Sequence, residues 1–205
     1  MGQRSAVLVI ACGALAKEIM ALIRANQWDH LTVQCLPAEL HNTPDKIPAA
    51  VRDKIQSGRK TFSTIFVAYA DCGTGGQLDK VLEEEGVDRI PGAHCYEFFA
   101  GSQLFSRLAD AEPGTFYLTD FLARHFDRLV YHGLGLDRHP ELAPMYFGNY
   151  RKLVYLSQSD DPDLMAAAKQ AAQTLGLEFE HVATRLDELQ QVFARVTDEK
   201  NVWQS

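Results

Sequence analysis

Three of the four cysteines stand beyond the ends of expected strands: Cys12 in Ala11-Cys12-Gly13, Cys72 in Asp71-Cys72-Gly73 and Cys95 in His94-Cys95-Tyr96. A thiol in such a place can attack an electrophile once ionised, or ligate a soft metal. His94 adjoins one of them, and His41 follows another expected strand in Leu36-Pro37-Ala38-Glu39-Leu40-His41. Three thiolates with one imidazole make a zinc donor set, and three thiolates also suit an iron–sulfur cluster. The steps from Cys12 to Cys72 and on to Cys95 are 60 and 23 residues, with no C-x-x-C pair, so only the fold can bring these sulfurs together. Two other uses stay open: reactive thiols without a metal, serving as acid and base across a cleft, and buried cysteines that merely pack.

The stretch Asp71-Cys72-Gly73-Thr74-Gly75-Gly76 opens a helix. The main-chain amides of Gly73, Thr74, Gly75 and Gly76 are therefore candidates to bind an anion, or to favour the Cys72 thiolate. No lysine follows the glycines and no G-x-G-x-x-G occurs, so neither a Walker A loop nor a dinucleotide fingerprint is present. Cys35 lies inside an apolar run with Val33 and reads as packing, as do Tyr96, Phe98, Phe99 and Phe105 on an aromatic helix. Arg124, His125 and Arg128, with Arg138 and His139, are candidates to meet an anionic ligand or a partner protein.

Positioning these residues falls to strands that alternate with helices. Strands are expected at Val7–Ala11, Leu31–Leu36, Thr64–Ala70, Val87–Ile90, Thr115–Leu118, Leu153–Leu156 and Leu177–Val182. Helices are expected over Ala14–Asn26, Ala49–Gln56, Gln77–Glu85, His94–Ala109, from Thr119 or Asp120 to His132, over Pro162–Leu175 with Asp161 as N-cap and Gly176 as stop, and over Leu186–Val196. The pattern specifies an α/β fold of three layers on a mostly parallel sheet of six or seven strands, Rossmann-like or flavodoxin-like. Residues 1–205 read as one domain, with a soft division in the glycine- and proline-rich stretch 133–150. Ligand crevices of such sheets lie beyond the carboxyl ends of the strands. In a flavodoxin-like order, 2-1-3-4-5, the strands that precede Cys12, Cys72 and Cys95 are neighbours, which puts those cysteines with His41 or His94 at one crevice.

Composition narrows the partners. The chain has 205 residues, 46% hydrophobic and 23% charged, with a net charge of -7, an acidic balance that argues against nucleic acid as the main partner. No run approaches the ~18 apolar residues that a membrane helix needs, so no membrane partner is expected. The apolar run that follows Arg4 and precedes Cys12 is six residues, too short for a signal core, and Met1-Gly2 lacks a Ser or Thr at position 6, which is Ala6. A cytoplasmic location with reduced cysteines is the expectation.

The motifs Ala-Cys-Gly-Ala-Leu at 11–15, Leu-His-Asn at 40–42, Asp-Cys-Gly-Thr-Gly-Gly at 71–76, Pro-Gly-Ala-His-Cys-Tyr-Glu-Phe-Phe-Ala-Gly at 91–101 and Glu-Pro-Gly-Thr-Phe-Tyr-Leu-Thr at 112–119 together resemble the bacterial and archaeal family called domain of unknown function 1638, over residues 5–183. The resemblance implies Cys12, His41, Cys72, His94 and Cys95 as functional positions. It also implies an association with corrinoid-dependent methyltransferase systems and one-carbon metabolism, with a corrinoid protein or methyltransferase as partner. Three expectations follow: a zinc or iron–sulfur protein serving methyl transfer, a metal-free thiol enzyme in the manner of two-cysteine racemases, or an anion- or partner-binding module.

Overall fold

A computed structural model describes residues 6–197. Met1-Gly2 and Arg4 lie outside the described residues. The chain forms two compact units, one running up to Cys95 and resumed from Leu189 on, the other Tyr96–Glu188.

In the first unit β1 (Val7–Cys12), β2 (Leu31–Leu36), β3 (Thr64–Ala68) and β4 (Asp88–Arg89) form a parallel sheet in the order β2-β1-β3-β4. All six residues of β1 are buried, as a central strand covered on both faces must be. Between the strands run α1 (Ala16–Asn26), α2 (Ile47–Gly58) and α3 (Gln77–Glu85). They bury Ile19, Leu22 and Ile23, Val51 and Ile55, and Leu78 and Leu82. These spacings of three and four residues are the apolar stripe of an amphipathic helix. Phe193, from the last helix (Asp187–Thr197), is fully buried, 6.4 Å from the Trp28 ring and 6.2 Å from that of Phe66.

In the second unit β5 (Thr115–Thr119), β6 (Lys152–Ser157) and β7 (Glu178–Ala183) form a second parallel sheet in the order β5-β6-β7. Its helices are α4 (Tyr96–Ala100), α5 (Ser102–Ala111), α6 (Asp120–Arg124), α7 (Ala143–Phe147) and α8 (Pro162–Leu175), with a π-helical turn over Asp127–Tyr131. Asp161 caps α8 by accepting from the amides of Asp163 and Leu164, and Gly176 ends it in the left-handed conformation. The core joins Leu118, Phe126, Leu153, Tyr155, Leu164 and Ala168. Phe98 and Phe99 are buried, and Tyr96 and Phe105 lie 5.6 and 5.1 Å from the Tyr117 ring, the packing role their spacing suggested.

The α/β class, the parallel strands and their number of seven agree with the sequence, but the strands divide into sheets of four and three. β4 is the reason on the first side: two polar residues pair with β3 at two positions, too short a ladder to seat another strand. The expected helix over His94–Ala109 is two helices, because Gly101 takes φ +80 between them. The helix expected to reach His132 stops at Arg124, where His125 leaves helical geometry. No helix among the described residues is long and apolar enough to cross a membrane.

Candidate functional site: a cysteine cluster at one sheet edge

All four strands of the first sheet run the same way, so their carboxyl ends share an edge. Cys12 closes β1, His41 lies in a 3-10 turn beyond β2, Cys72 lies four residues beyond β3, and His94 and Cys95 lie five and six residues beyond β4. Past the ends of β3 and β4 the two chains stay joined: the amides of Ile90, Asp71 and Cys72 donate to the carbonyls of Val67, Gly92 and Ala93 at 3.0, 3.1 and 2.9 Å. Arg89 fixes this extension. Its guanidinium grips both Asp79 carboxylate oxygens on α3, at 2.6 and 3.0 Å, and donates to the Ile90 and Gly92 carbonyls.

The result is a contact between sulfurs: Cys72 Sγ and Cys95 Sγ are 3.2 Å apart. The two do not hold protons alike. The Cys95 thiol beside it keeps the Cys72 proton affinity below the ordinary thiol range against the opposing effect of burial, aided by the main chain at Cys95 and Ala70. Cys95 is driven well above that range by the same neighbour and by burial. Either sulfur can donate to the other, and this asymmetry makes Cys95 the favoured donor and Cys72 the favoured acceptor when one of the pair is ionised. Cys12 lies within electrostatic reach of Cys72, and burial pushes it up to about 11.

Cys72 adopts φ +50, left-handed backbone that a non-glycine residue seldom takes, and Gly73, Gly75 and Gly76 continue with φ of +83, +60 and +79. This turn folds around its own carboxylate. Asp71 Oδ1 accepts from the Thr74 hydroxyl at 2.6 Å and the Gly76 amide at 2.9 Å, and Oδ2 accepts from the Gly75 amide at 3.2 Å. The Thr74 amide donates to the Asp71 carbonyl at 3.0 Å. Of the amides that the sequence offers to an anion, those of Gly75 and Gly76 thus serve Asp71.

His41 and His94 come within electrostatic reach of each other; crowding by surrounding atoms and the His94 charge hold His41 below the usual imidazole range. Among the described residues no three His, Cys, Asp or Glu side chains converge as a metal site requires. The sulfurs of Cys72 and Cys95 are also closer than the roughly 3.8 Å between two thiolates sharing a tetrahedral zinc. The donor set Cys12, Cys72, Cys95 with His41 or His94 shares an edge without forming a ligand shell.

Other candidates separate from this cluster. Cys35, expected to pack, is exposed, because β2 is the edge strand of its sheet. Arg124 approaches Asp161 at 3.8 Å, Arg138 approaches Asp137 at 3.9 Å and His139 bonds Glu141 at 3.1 Å, so local carboxylates answer these side chains. One residue that the sequence reading passed over is Tyr69. It is 2% exposed and electrostatically linked to Cys12, Cys95 and Cys72. The available signal was its position, a tyrosine closing a buried apolar strand three residues before Cys72.

No curated protein and no solved structure matches the chain. Residues 35–193 match a family model described as a protein of unknown function, DUF1638; the matched stretch holds His41, Cys72, His94 and Cys95 and begins after Cys12. With well over half its length matched, the chain belongs to the DUF1638 family of proteins of unknown function.

Proposed function

We propose that the protein performs thiol chemistry at the carboxyl edge of its first sheet, with Cys72 as the nucleophile and Cys95 as the thiol that holds its charge. The observation that carries this reading is the 3.2 Å contact between the two sulfurs. A thiolate is a soft nucleophile, and a neighbouring S–H stabilises it without competing for the electrophile. In the step, an S–C bond forms at Cys72 Sγ while the bond from that carbon to its leaving group breaks. The leaving group departs with the electron pair, and Cys95 keeps its proton.

The resemblance to a corrinoid-associated family supplies the substrate class: an electrophilic one-carbon group, with a corrinoid protein or methyltransferase as donor. The acid–base version pairs Cys12 with Cys72 across a substrate and gives Cys95 no part, so the Cys72–Cys95 contact favours the nucleophile reading. The metal version needs further donors to join the pair.

The test combines iodoacetamide labelling at neutral pH, with peptide mapping, and metal and sulfide analysis of protein purified without oxygen. Cys72 is expected to react first, and Cys72→Ser to abolish that labelling while the protein stays folded. Native protein in which Cys72 does not react overturns the reading. One equivalent of zinc or iron that is lost in both Cys72→Ser and Cys95→Ser transfers the site to a metal.

A further inference from the structure

Tyr69 is the first residue beyond β3. Ala11 of β1 stands opposite Ala68 of β3, so the next residues along, Cys12 and Tyr69, lie side by side at the thiol edge. The Tyr69 ring is 2% exposed, and its hydroxyl is buried; its approach to the Cys12 side chain falls short of a well-formed hydrogen bond. Among the groups within its electrostatic reach are the sulfurs of Cys12, Cys95 and Cys72. A phenylalanine would fill the same space without leaving a buried O–H unanswered. Folded proteins seldom leave such a group unanswered, and the exceptions gather at working sites.

We propose that Tyr69 is a positioning residue of the thiol site, its buried O–H kept to donate to Cys12 Sγ when that sulfur carries negative charge, so that Cys12 is the second reactive sulfur of the edge. This rests on the reading of the edge as a thiol site. The two groups already act on each other in this sense. The Tyr69 hydroxyl favours the ionised form of Cys12 against the larger effect of burial, and the Cys12 sulfur strengthens the hold of Tyr69 on its own proton. With a neutral thiol beside it the hydroxyl has a poor acceptor; with a thiolate it has a strong one. Its free energy is released only in the charged state, which is how an interaction promotes reaction rather than folding.

The experiment follows alkylation of Cys12 and Cys72 separately, by peptide mapping, from pH 6 to 11 in the full-length protein and in Tyr69→Phe. Cys12 labelling is expected to slow about tenfold in the variant, the size of one hydrogen bond to a charged group, with its profile moved to higher pH. Labelling of Cys72 is expected to change less than about twofold, since Tyr69 is not among the largest influences on its charge. The melting temperature is expected to stay level or rise, because the variant deletes an unanswered polar group; a structural hydrogen bond would instead lower it. Replacing Tyr69 with 3-fluorotyrosine, a stronger donor of nearly the same shape, is expected to speed Cys12 labelling. Equal Cys12 rates in all three proteins overturn the proposal, as does a Cys12 that never labels in the native protein. Should Cys72 prove inert while Cys12 follows Tyr69, the Cys72 nucleophile alone is discarded.

Discussion

Replacing Cys95 with alanine isolates the contact on which the proposed chemistry depends. In the native protein the two largest influences on Cys72 are the Cys95 thiol, which favours its charge, and burial, which opposes it; with main-chain help at Cys95 and Ala70 the balance brings its proton affinity below the ordinary thiol range. Deleting the donor leaves burial opposed only by the weaker main-chain groups at Cys95 and Ala70. A hydrogen bond to a charged group contributes roughly 1.5–3 kcal/mol, and an S–H donor sits at the weak end of that range. At 1.36 kcal/mol for each pH unit, the Cys72 profile moves upward by about one unit and its thiolate population at pH 7 drops about tenfold. The assay is the pseudo-first-order rate of iodoacetamide addition to Cys72 between pH 6 and 10, read by mass spectrometry of the Cys72 peptide. Cys95→Ser is the control, because a serine hydroxyl can still donate to the sulfur; it is expected to hold the rate within about threefold of the native value. A Cys95→Ala protein that alkylates at Cys72 as fast as the native one at pH 7, with an unchanged profile, would falsify the argument that Cys95 holds the charge.

Two further perturbations test the two units independently. Because the folded protein raises Cys12 from 9.0 to about 11, it binds that proton more tightly than the unfolded chain does, so this contribution to stability is complete below pH 9 and is lost as the pH rises towards 11. Urea denaturation is expected to show a fall to which Cys12 contributes about 3 kcal/mol across that window, with Cys95 and Tyr69 adding losses of the same sign, and Cys12→Ala to reduce the slope; an unchanged slope in Cys12→Ala refutes the assignment. In the second unit Asp120, 2% exposed, accepts from the Tyr155 hydroxyl at 2.7 Å, from the Gln158 amide at 3.0 Å and from the Ser159 hydroxyl. Asp120→Ala strands those donors and is expected to destabilise by roughly 3 kcal/mol, so a loss under 1 kcal/mol would mean that water replaces the carboxylate.

How far the site was legible depended on which residues carry local signals. β2, α3 and α8 are found where periodicity and capping residues put them, because apolar spacing, Asp161-Pro162 and Gly176 act within a few residues of themselves. The order β2-β1-β3-β4 places Cys12, Cys72 and Cys95 at one edge, as a flavodoxin-like arrangement requires. Where β5 would sit was not legible, since strand pairing is a long-range choice and the weakness of β4 emerges only from its two-residue ladder. Nor was the Cys72–Cys95 contact legible. It depends on main-chain bonds such as that from the Cys72 amide to Ala93, and on the Arg89 grip on Asp79, none of which leaves a periodic trace. The glycines after Cys72 looked like an invitation to an external anion because glycine signals a turn and says nothing of what the turn encloses; here Asp71, one residue upstream of Cys72, supplies the carboxylate.

The left-handed backbone at Cys72 has a consequence for anyone who improves this protein by stability alone. At φ +50 glycine or asparagine relieves steric crowding that cysteine must bear, and the relief is worth up to about 1 kcal/mol. A computational redesign, or a selection that rewards only yield and melting temperature, would therefore converge on Cys72→Gly or Cys72→Asn among its first changes. The hardier molecule would keep its sheet and its helices and would have erased the sulfur proposed as its nucleophile. Resistance of position 72 to such replacement, when cells are made to depend on the protein, would separate a demand of function from a demand of folding without any knowledge of the substrate.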